Sequence, residues 1–288
     1  MSEAQAHRAT RRCLIVQGLS ATLDDAEALR RVAGARAIVP LGEGPTHAFR
    51  LEHPATHEGV ADAAASRRVD HAFVPLDRRL ADVRVVSMDM DSTLITIECI
   101  DEIADMLGIK PEVATITASA MRGEIDFRTS LARRVALLAG LEQSALQRVY
   151  DERLRLSPGA EAMLGRFHAA GATSLLVSGG FTFFTERLRE RVGLGHTLSN
   201  VLEIERGRLT GRIVGDIVDA EAKASALRAL RAALPPGLAV AIGDGANDLP
   251  LFGEADVSVA YRAKPIVREQ ATHALDHSGL DGVANLFA

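Results

Sequence analysis

A short apolar run that ends in two carboxylates constrains this chain more than any other stretch of its sequence. Residues 84–94 read Arg-Val-Val-Ser-Met-Asp-Met-Asp-Ser-Thr-Leu, which predicts a buried strand followed at once by Asp89 and Asp91. Ligands bind at the carboxyl edge of an open α/β sheet, where two such acids repel each other unless a cation lies between them. A turn that caps a helix is the alternative, but the Asp-x-Asp-Ser-Thr spacing favours a chemical site.

Two further apolar runs also end in polar residues. Residues 173–177 lead into Ser178-Gly-Gly-Phe, and residues 238–242 lead into Gly243-Asp-Gly-Ala-Asn-Asp. Helical patterns alternate with these predicted strands, and one of them, over residues 220–233, carries Lys223. This alternation predicts an α/β fold with a doubly wound parallel sheet.

A run of helical patterns separates the first of these strands from the second. Four segments between about residues 97 and 155 carry apolar residues at three- and four-residue spacing, with glycines between them. The last segment predicts one helix from Glu142 to Leu154. We therefore expect a small helical cap inserted after the first strand of the sheet.

The residues before this sheet predict a separate unit. Strand and helix patterns over residues 12–75 follow in the order βαββαβ, which is typical of a ferredoxin-like fold, with a helix expected from His53 to Arg67. The order resembles an ACT-type regulatory domain, which implies either amino-acid sensing or a packing role that supports a homodimer. The expected domains are residues 1–80 and residues 81–288.

Oxygen ligands dominate the predicted strand ends. The carboxylates of Asp89, Asp91, Asp244 and Asp248 are hard ligands that suit Mg²⁺ held together with water and a substrate phosphate. The sequence has no cluster of the His and Cys ligands that zinc prefers. It also lacks the Gly-x-x-x-x-Gly-Lys-Ser/Thr loop of a P-loop kinase. The pattern therefore predicts magnesium-dependent phosphoryl transfer.

Phosphoryl transfer also needs a nucleophile and a proton donor for the leaving oxygen. A carboxylate can serve as the nucleophile by becoming an aspartyl-phosphate, and Asp89 is the candidate because it comes first in the motif. Asp91, two residues further on, can protonate the leaving alcohol and later activate water. The two acids are therefore predicted to have different roles.

The remaining polar residues can bind the phosphoryl group and the cation. Ser178 and the backbone N–H of Gly179 can donate hydrogen bonds to phosphoryl oxygens. Lys223 can neutralise charge on the phosphate and on the nucleophile. Asp244 would complete the magnesium site, and Asp248 would orient it through hydrogen bonds.

Together these motifs resemble those of the haloacid dehalogenase superfamily of phosphohydrolases. They are Asp89-Met-Asp-Ser-Thr, Ser178-Gly-Gly-Phe, Lys223 and Gly243-Asp-Gly-Ala-Asn-Asp, and they follow in the order of the family over about residues 84–275. The resemblance implies a Rossmann-like core of the haloacid dehalogenase type. It also implies that Mg²⁺ is held by Asp89, by Asp244 and by the backbone carbonyl of Asp91.

Within the superfamily, the closer resemblance is to the phosphatases that act on phosphoserine. It rests on Glu98 and Asp101, on residues 127–134 in the cap, and on Ala263-Lys-Pro-Ile-Val-Arg-Glu-Gln-Ala. It implies that Glu98 binds the ammonium and Arg134 the carboxylate of the substrate. Phe127 would exclude water, and Asn247 would contact the substrate. The reaction would be hydrolysis of O-phospho-L-serine, the last step of serine biosynthesis.

Composition narrows the class of partner. The net charge of −5 argues against nucleic acid, and no apolar run reaches membrane-spanning length. Two cysteines and a polar N-terminus without a signal-peptide pattern predict a reducing, cytoplasmic location. Two other functions stay open: a phosphatase for a sugar or nucleotide phosphate, and a non-catalytic amino-acid sensor, against which the acid pair Asp89 and Asp91 argues.

Overall fold

The computed structural model describes residues 12–42 and 44–287, which form two packed sheets with their helices. The first sheet has four antiparallel strands in the order β2-β3-β1-β4. Its elements are β1 (Arg12–Gly18), α1 (Leu23–Ala33), β2 (Ala37–Leu41), β3 (His47–Glu52), α2 (Val60–Arg67) and β4 (Asp70–Pro75). The predicted βαββαβ order is therefore confirmed.

The second helix of this unit is shorter than predicted. A helix from His53 was expected, but α2 begins only after Gly59, which has a left-handed backbone with a φ of 72°. The backbone N–H groups of Ala55 and Thr56 donate to the carbonyl of Ala33, at the end of α1. These long-range bonds hold residues 53–59 as a loop, and Pro54 and Gly59 within it are poor helix formers.

The second sheet has seven strands in the order β11-β10-β9-β5-β6-β7-β8. All neighbouring strands are parallel except β7 and β8, which form an antiparallel hairpin at one edge. The strands are β5 (Val83–Met88), β6 (Thr173–Phe181), β7 (His196–Glu205), β8 (Arg208–Val214), β9 (Leu238–Gly243), β10 (Val257–Tyr261) and β11 (His273–Leu275). The predicted parallel sheet is confirmed, with one antiparallel edge strand.

A helical cap is inserted between β5 and β6, as predicted. Its helices are α3 (Cys99–Leu107), α4 (Lys110–Met121), α5 (Phe127–Ala136) and α6 (Ser144–Arg148). The segment predicted as one helix from Glu142 to Leu154 is helical over residues 144–153, but not as a single α-helix. After α6, the N–H of Leu154 bonds to the carbonyl of Val149, five residues back, in a π-helical turn. The two segments that join the cap to the sheet lie side by side at a bridge between Ile95 and Leu156.

Helices cover both faces of the second sheet. They are α7 (Ala160–Ala169), α8 (Thr182–Val192), α9 (Ala220–Ala233), α10 (Leu249–Gly253) and α11 (Pro265–Gln270). On β5, Val86 belongs to a buried cluster with Phe167 of α7, whereas Val85 belongs to the opposite cluster with Leu227 of α9. Burial on both faces explains why this strand is apolar along most of its length. Within the described residues, no helix is both long and apolar enough to cross a membrane.

Buried polar contacts join the first sheet to the end of the chain. Both oxygens of Asp70, in β4, accept hydrogen bonds from the backbone N–H groups of residues 276–278, at 2.8–3.2 Å. Asp281 accepts the backbone N–H of Thr46 at 2.9 Å. The N-terminal unit is therefore fixed to the segment after β11 by hydrogen bonds, in addition to the covalent linker.

Candidate active site

Asp89 and Asp91 follow the central strand β5, where the backbone forms a π-helical turn over Met90–Leu94. The N–H of Leu94 donates to the carbonyl of Asp89 at 3.3 Å, so the chain turns sharply at the end of the strand. Inside the turn, Ser92 has a φ of 55°, a left-handed conformation that is uncommon for a residue with a side chain. The turn leaves both carboxylates at the carboxyl edge of the sheet.

Lys223 is the buried cation of this site. It lies on α9, which begins after Asp219, whose side chain accepts the N–H of Ala222 at 3.0 Å. The Lys223 Nζ lies 2.8 Å from Oδ2 of Asp89 and 2.9 Å from Oδ1 of Asp248. Burial acts to lower the pKa of Lys223, but the two carboxylates outweigh it and raise that pKa. The side chain is therefore held as an ammonium between two acids.

Asp244 and Asp248 come from the loop after β9. The Asp248 oxygen that does not bind Lys223 accepts the backbone N–H groups of Asp244 and Gly245, at 3.2 and 3.1 Å. Donors therefore occupy both oxygens of Asp248. The Asp244 carboxylate accepts a hydrogen bond from the Thr93 hydroxyl at 3.3 Å, and Asp244 lines a cavity. Asp248 supports the loop, whereas Asp244 is open to a ligand.

Three of these carboxylates lie close enough together to hold a metal ion. Asp89, Asp244 and Asp248 each bring an oxygen within 4.8 Å of the others. The Lys223 ammonium offsets only part of their charge, so the cluster has an excess of negative charge that a divalent cation would balance. Asp89 and Asp244 line the cavity, whereas Asp248 is fully buried and does not, so Asp89 and Asp244 are the better ligands. This set of oxygen donors fits a hard cation.

Burial and like charge raise the pKa values of the acids. Burial, and to a lesser extent the charge of Glu98, raise the pKa of Asp91 to about 7. The pKa of Asp244 rises to about 6 through burial and the charge of Asp248. Burial and Asp248 also raise the pKa of Asp89 well above its ordinary value, although the adjacent ammonium opposes this shift. A cation bound among these acids would favour their charged forms.

Ser178, Gly179 and Gly180 form a bulge in β6 beside the two acids. The sequence predicts that the strand ends at Val177, but β6 continues to Phe181, and its pairing with β7 changes register between these two residues. The hydroxyl oxygen of Ser178 accepts the backbone N–H of Gly180 at 2.8 Å. The hydroxyl proton of Ser178 is then available to a ligand.

A cavity of about 370 Å³ separates the cap from this edge of the sheet. Nine of the predicted site residues line it: Asp89, Asp91, Glu98, Phe127, Arg134, Ser178, Gly179, Asp244 and Asn247. Lys223 and Asp248 are buried beneath the lining residues. The residues that the sequence singles out therefore meet in one place.

Three of the predicted site residues, Glu98, Phe127 and Arg134, line the cavity from the cap. Phe127, at the start of α5, lies over Gly179 so closely that a Cβ on that glycine would come 2.9 Å from the ring Cζ. Glu98 accepts a hydrogen bond from the Ser92 hydroxyl at 2.6 Å. The buried Nε of Arg134 has no hydrogen-bond partner among the described residues. A buried guanidinium N–H without a partner costs free energy, so this position favours an anionic ligand.

The residues at the site that fall outside the predicted set include Asn200 and Lys264. Asn200, buried on β7, donates from its side chain to the carbonyl of Gly179 at 2.8 Å. Lys264, just before α11, lines the cavity, and its backbone N–H donates to the carbonyl of Asp244 at 3.2 Å. Asn200 has no signal in the sequence, because its contact depends on how β6 pairs with β7. Lys264 does have a signal in the sequence, because the chain contains only three lysines.

The layered sheet, the inserted cap and the acids at the sheet edge together define a class of hydrolase. The family model described as haloacid dehalogenase-like hydrolase matches residues 86–253 of the chain. The chain therefore belongs to the haloacid dehalogenase-like hydrolase family. The resemblance drawn from the four motifs is confirmed.

The similar proteins include several named for one substrate. A phosphoserine phosphatase from Polaromonas sp. is 53% identical over 217 residues, which are 73% of this chain and 92% of that protein. The crystal structure of a probable phosphoserine phosphatase from Vibrio cholerae, in unliganded form, has a TM-score of 0.84 at 36% identity and covers 96% of this chain and 86% of that chain. A phospho-aspartyl intermediate analogue of phosphoserine phosphatase has a TM-score of 0.67 at 33% identity, over 72% of this chain and 100% of that chain.

Proposed function

We propose that this chain hydrolyses O-phospho-L-serine to L-serine and phosphate. The observation that carries the proposal is that two opposite charges of the cap, Glu98 and Arg134, line the same cavity as the acid pair Asp89 and Asp91. A phosphate group needs only the acids, their cation and hydrogen-bond donors. An ammonium and a carboxylate on the same molecule need the two charges of the cap. The names of the similar proteins support the same substrate.

The first half of the reaction phosphorylates Asp89. An oxygen of its carboxylate attacks the phosphorus, and the bond between phosphorus and the seryl oxygen breaks while Asp91 transfers its proton to that oxygen. Serine leaves, and the phosphoryl group stays on Asp89. Lys223, 2.8 Å from Asp89, holds the nucleophile in place. The Ser178 hydroxyl and the N–H of Gly179 donate to the phosphoryl oxygens.

The second half of the reaction restores the enzyme. Asp91, now ionised, takes a proton from water, and the water oxygen attacks the phosphorus. The bond between phosphorus and the Asp89 oxygen breaks, which releases phosphate and returns both acids to their starting forms. Burial and the charge of Glu98 raise the pKa of Asp91 to about 7, which favours the protonated form that the first half of the reaction needs. A bound cation would favour the ionised form that the second half needs.

Mg²⁺ is the cofactor in this proposal, held by the carboxylates of Asp89 and Asp244 and by the backbone carbonyl of Asp91. The excess of carboxylates over ammonium groups in the cluster supports a divalent cation, and oxygen donors suit Mg²⁺. When bound, the ion neutralises charge on the phosphoryl group. Asp248 orients this loop, and the 3.4 Å distance between Asn247 and Asp89 supports a contact of Asn247 with the phosphate.

The cap supplies the specificity for the amino acid. The Glu98 carboxylate binds the ammonium of the substrate, and the Arg134 guanidinium binds its carboxylate as a bidentate pair. The Arg134 Nε, which lacks a partner within residues 12–42 and 44–287, supports this role. Phe127 packs over Gly179 and keeps water from the closed site.

Residues 1–80 would form an ACT-like unit and residues 81–288 the phosphatase unit, with the cap at about residues 97–155. A single 3-10 turn, Leu80–Asp82, lies between β4 and β5 and supports a boundary there.

The buried free thiols of Cys13 and Cys99 support a reducing, cytoplasmic location. Amino-acid binding by the N-terminal unit and homodimerisation through it stay predictions, which calorimetry with L-serine and light scattering can test.

A panel of phosphate-release assays with Mg²⁺ tests the substrate. It compares O-phospho-L-serine with O-phospho-L-threonine, sugar phosphates, nucleotides and para-nitrophenyl phosphate. The proposal expects the highest kcat/KM for O-phospho-L-serine. A higher value for a sugar phosphate or a nucleotide would contradict the substrate but not the chemistry, whereas no hydrolysis of any compound would favour a non-catalytic sensor.

A further inference from the structure

The bulge that carries Ser178 is bridged by one buried side chain from the next strand. Between Val177 and Phe181, β6 has three residues where β7 has one, so regular ladder bonds are interrupted. Backbone polar groups left unpaired in a buried bulge need other partners. Asn200, which is only 1% exposed, supplies one, because its side-chain amide donates to the carbonyl of Gly179 at 2.8 Å.

The two ends of the Asn200 amide have different partners. Its NH₂ group donates to Gly179, and its oxygen accepts the backbone N–H of Val218 at 2.8 Å. A carbonyl can only accept and a backbone N–H can only donate, so these partners determine which end of the amide is which. Val218 directly precedes Asp219, which caps the helix that carries Lys223. Asn200 therefore ties the bulge to the start of the helix with the buried ammonium.

The peptide between Gly179 and Gly180 is the part of the bulge that this contact orients. In a planar trans peptide the carbonyl and the N–H point in opposite directions. The bond from Asn200 to the Gly179 carbonyl therefore directs the Gly180 N–H away from Asn200. That N–H donates to the Ser178 hydroxyl oxygen at 2.8 Å. Because this oxygen accepts there, the Ser178 proton is left to donate elsewhere.

We propose that Asn200 is a positioning residue for phosphoryl transfer. It orients the Gly179–Gly180 peptide and, through that peptide, the Ser178 hydroxyl that binds the phosphoryl group. The proposal rests on the phosphatase function proposed above. It does not depend on serine as the leaving group, because every candidate substrate carries the same phosphate.

The Asn200→Asp variant tests this role. It keeps an acceptor for the Val218 N–H but replaces the donor by an oxygen, which repels the Gly179 carbonyl. Asn200→Ala removes both hydrogen bonds without adding a charge, and it keeps the test informative if the carboxylate prevents folding. Ser199→Ala is the matched control, because Ser199 is the buried neighbour of Asn200 on β7. The Ser199 hydroxyl contacts the hydroxyl of Thr185 at 2.7 Å, and Thr185 is not a residue of the bulge.

Three measurements are made with Mg²⁺: the Kd of inorganic phosphate by calorimetry, kcat and KM for the best phosphomonoester, and Tm. We expect both Asn200 variants to weaken phosphate binding and lower kcat by about 10- to 100-fold. Ser199→Ala should keep the wild-type Kd and kcat even where it lowers Tm equally. Unchanged phosphate binding and kcat in Asn200→Ala, or equal losses in Ser199→Ala, would overturn the proposal. A wild-type enzyme that prefers another phosphomonoester would contradict only the substrate assignment.

Discussion

The Asp91 side chain contacts the first residue of α3, the first helix of the cap. The backbone N–H of Cys99 donates to Oδ1 of Asp91 at 3.3 Å. This bond favours the ionised carboxylate, yet burial and the charge of Glu98 outweigh it and raise the pKa of Asp91 to about 7. The same side chain therefore contacts the start of the cap and has the raised pKa that a general acid needs.

We expect Asp91→Asn to slow phosphorylation of the enzyme most for substrates with poor leaving groups. An amide cannot protonate the seryl oxygen, whereas nitrophenolate leaves without a proton. A positioned acid contributes about 10²–10⁴-fold, so the first turnover of O-phospho-L-serine should slow by that factor, and that of para-nitrophenyl phosphate much less. Rapid-quench measurement of the first turnover checks this. Equal slowing of the two substrates would mean that Asp91 is not the acid.

The charges of the cap should matter for phosphoserine and little for an aryl phosphate. Glu98→Gln removes the partner of the substrate ammonium, and Arg134→Ala removes the partner of its carboxylate. A charge left without its partner in an enclosed site costs roughly 2–5 kcal/mol. The KM for O-phospho-L-serine should therefore rise steeply in both variants, while the KM for para-nitrophenyl phosphate, which has neither group, should change little.

Arg133→Ala is the matched control for the cap variants, because Arg133 is the exposed neighbour of Arg134 on the same helix. It should leave the KM of both substrates at the wild-type value. If Glu98→Gln and Arg134→Ala weaken both substrates equally, these residues support the cap and do not bind the amino acid.

Magnesium should stabilise the fold more in alkaline than in acidic buffer. Burial raises the pKa of Asp91 to about 7 and that of Asp244 to about 6. Both carboxyls bind protons more tightly in the folded than in the unfolded chain, so the free energy of unfolding falls as pH rises from about 4 to about 7. The ionised carboxylates attract the cation, and Mg²⁺ should restore stability mainly above that range.

Thermal unfolding with and without Mg²⁺, at pH values of about 5 and about 8, measures this difference. The rise in Tm should be larger at the higher pH, and smaller in Asp244→Asn, which loses a charged ligand. An equal rise at both pH values, or an undiminished rise in Asp244→Asn, would count against a magnesium site at these carboxylates.

Asp70 should contribute to the attachment of the N-terminal unit. Asp70→Ala leaves the backbone N–H groups of residues 276–278 without their acceptor. A buried donor without a partner costs about 1–3 kcal/mol, and the N–H of Ser278 is such a donor. The free energy of unfolding in urea should therefore fall by about that amount, with KM unchanged. Asp77→Ala, which removes an exposed carboxylate, is the control. Deletion of residues 1–75 should destabilise the remaining chain for the same reason.

An unchanged free energy of unfolding in Asp70→Ala would show that this contact adds no stability. A stable and fully active chain after deletion of residues 1–75 would show that the two units are separable, as the sequence pattern alone suggests.

The positions of the acids follow from the sequence for a simple physical reason. Asp89 comes directly after an apolar run of strand length, and Asp244 comes one residue after another such run. In a parallel sheet the carboxyl ends of neighbouring strands lie at the same edge, and β5 and β9 are neighbours. Local pattern and the topology of parallel sheets are therefore enough to bring these side chains together.

Features that depend on long-range pairing do not follow from the sequence. The contact of Asn200 with Gly179 depends on a bulge of β6 against β7, which no local pattern specifies. The loop before α2 is held by hydrogen bonds from the backbone N–H groups of Ala55 and Thr56 to the carbonyl of Ala33. β11 is too short to show a periodic pattern and exists through its pairing with β10. In each case the deciding hydrogen bonds join residues that are distant in the sequence.

Trapping of the phosphorylated residue identifies the nucleophile. Acid quench during turnover of radiolabelled O-phospho-L-serine with Mg²⁺, followed by peptide mapping, locates the covalent phosphate. We predict label on Asp89 that is released by neutral hydroxylamine, as expected for an acyl phosphate, and no label in Asp89→Asn, whose amide cannot form one. Label on another residue, or turnover and labelling that persist in Asp89→Asn, would show that Asp89 is not the nucleophile.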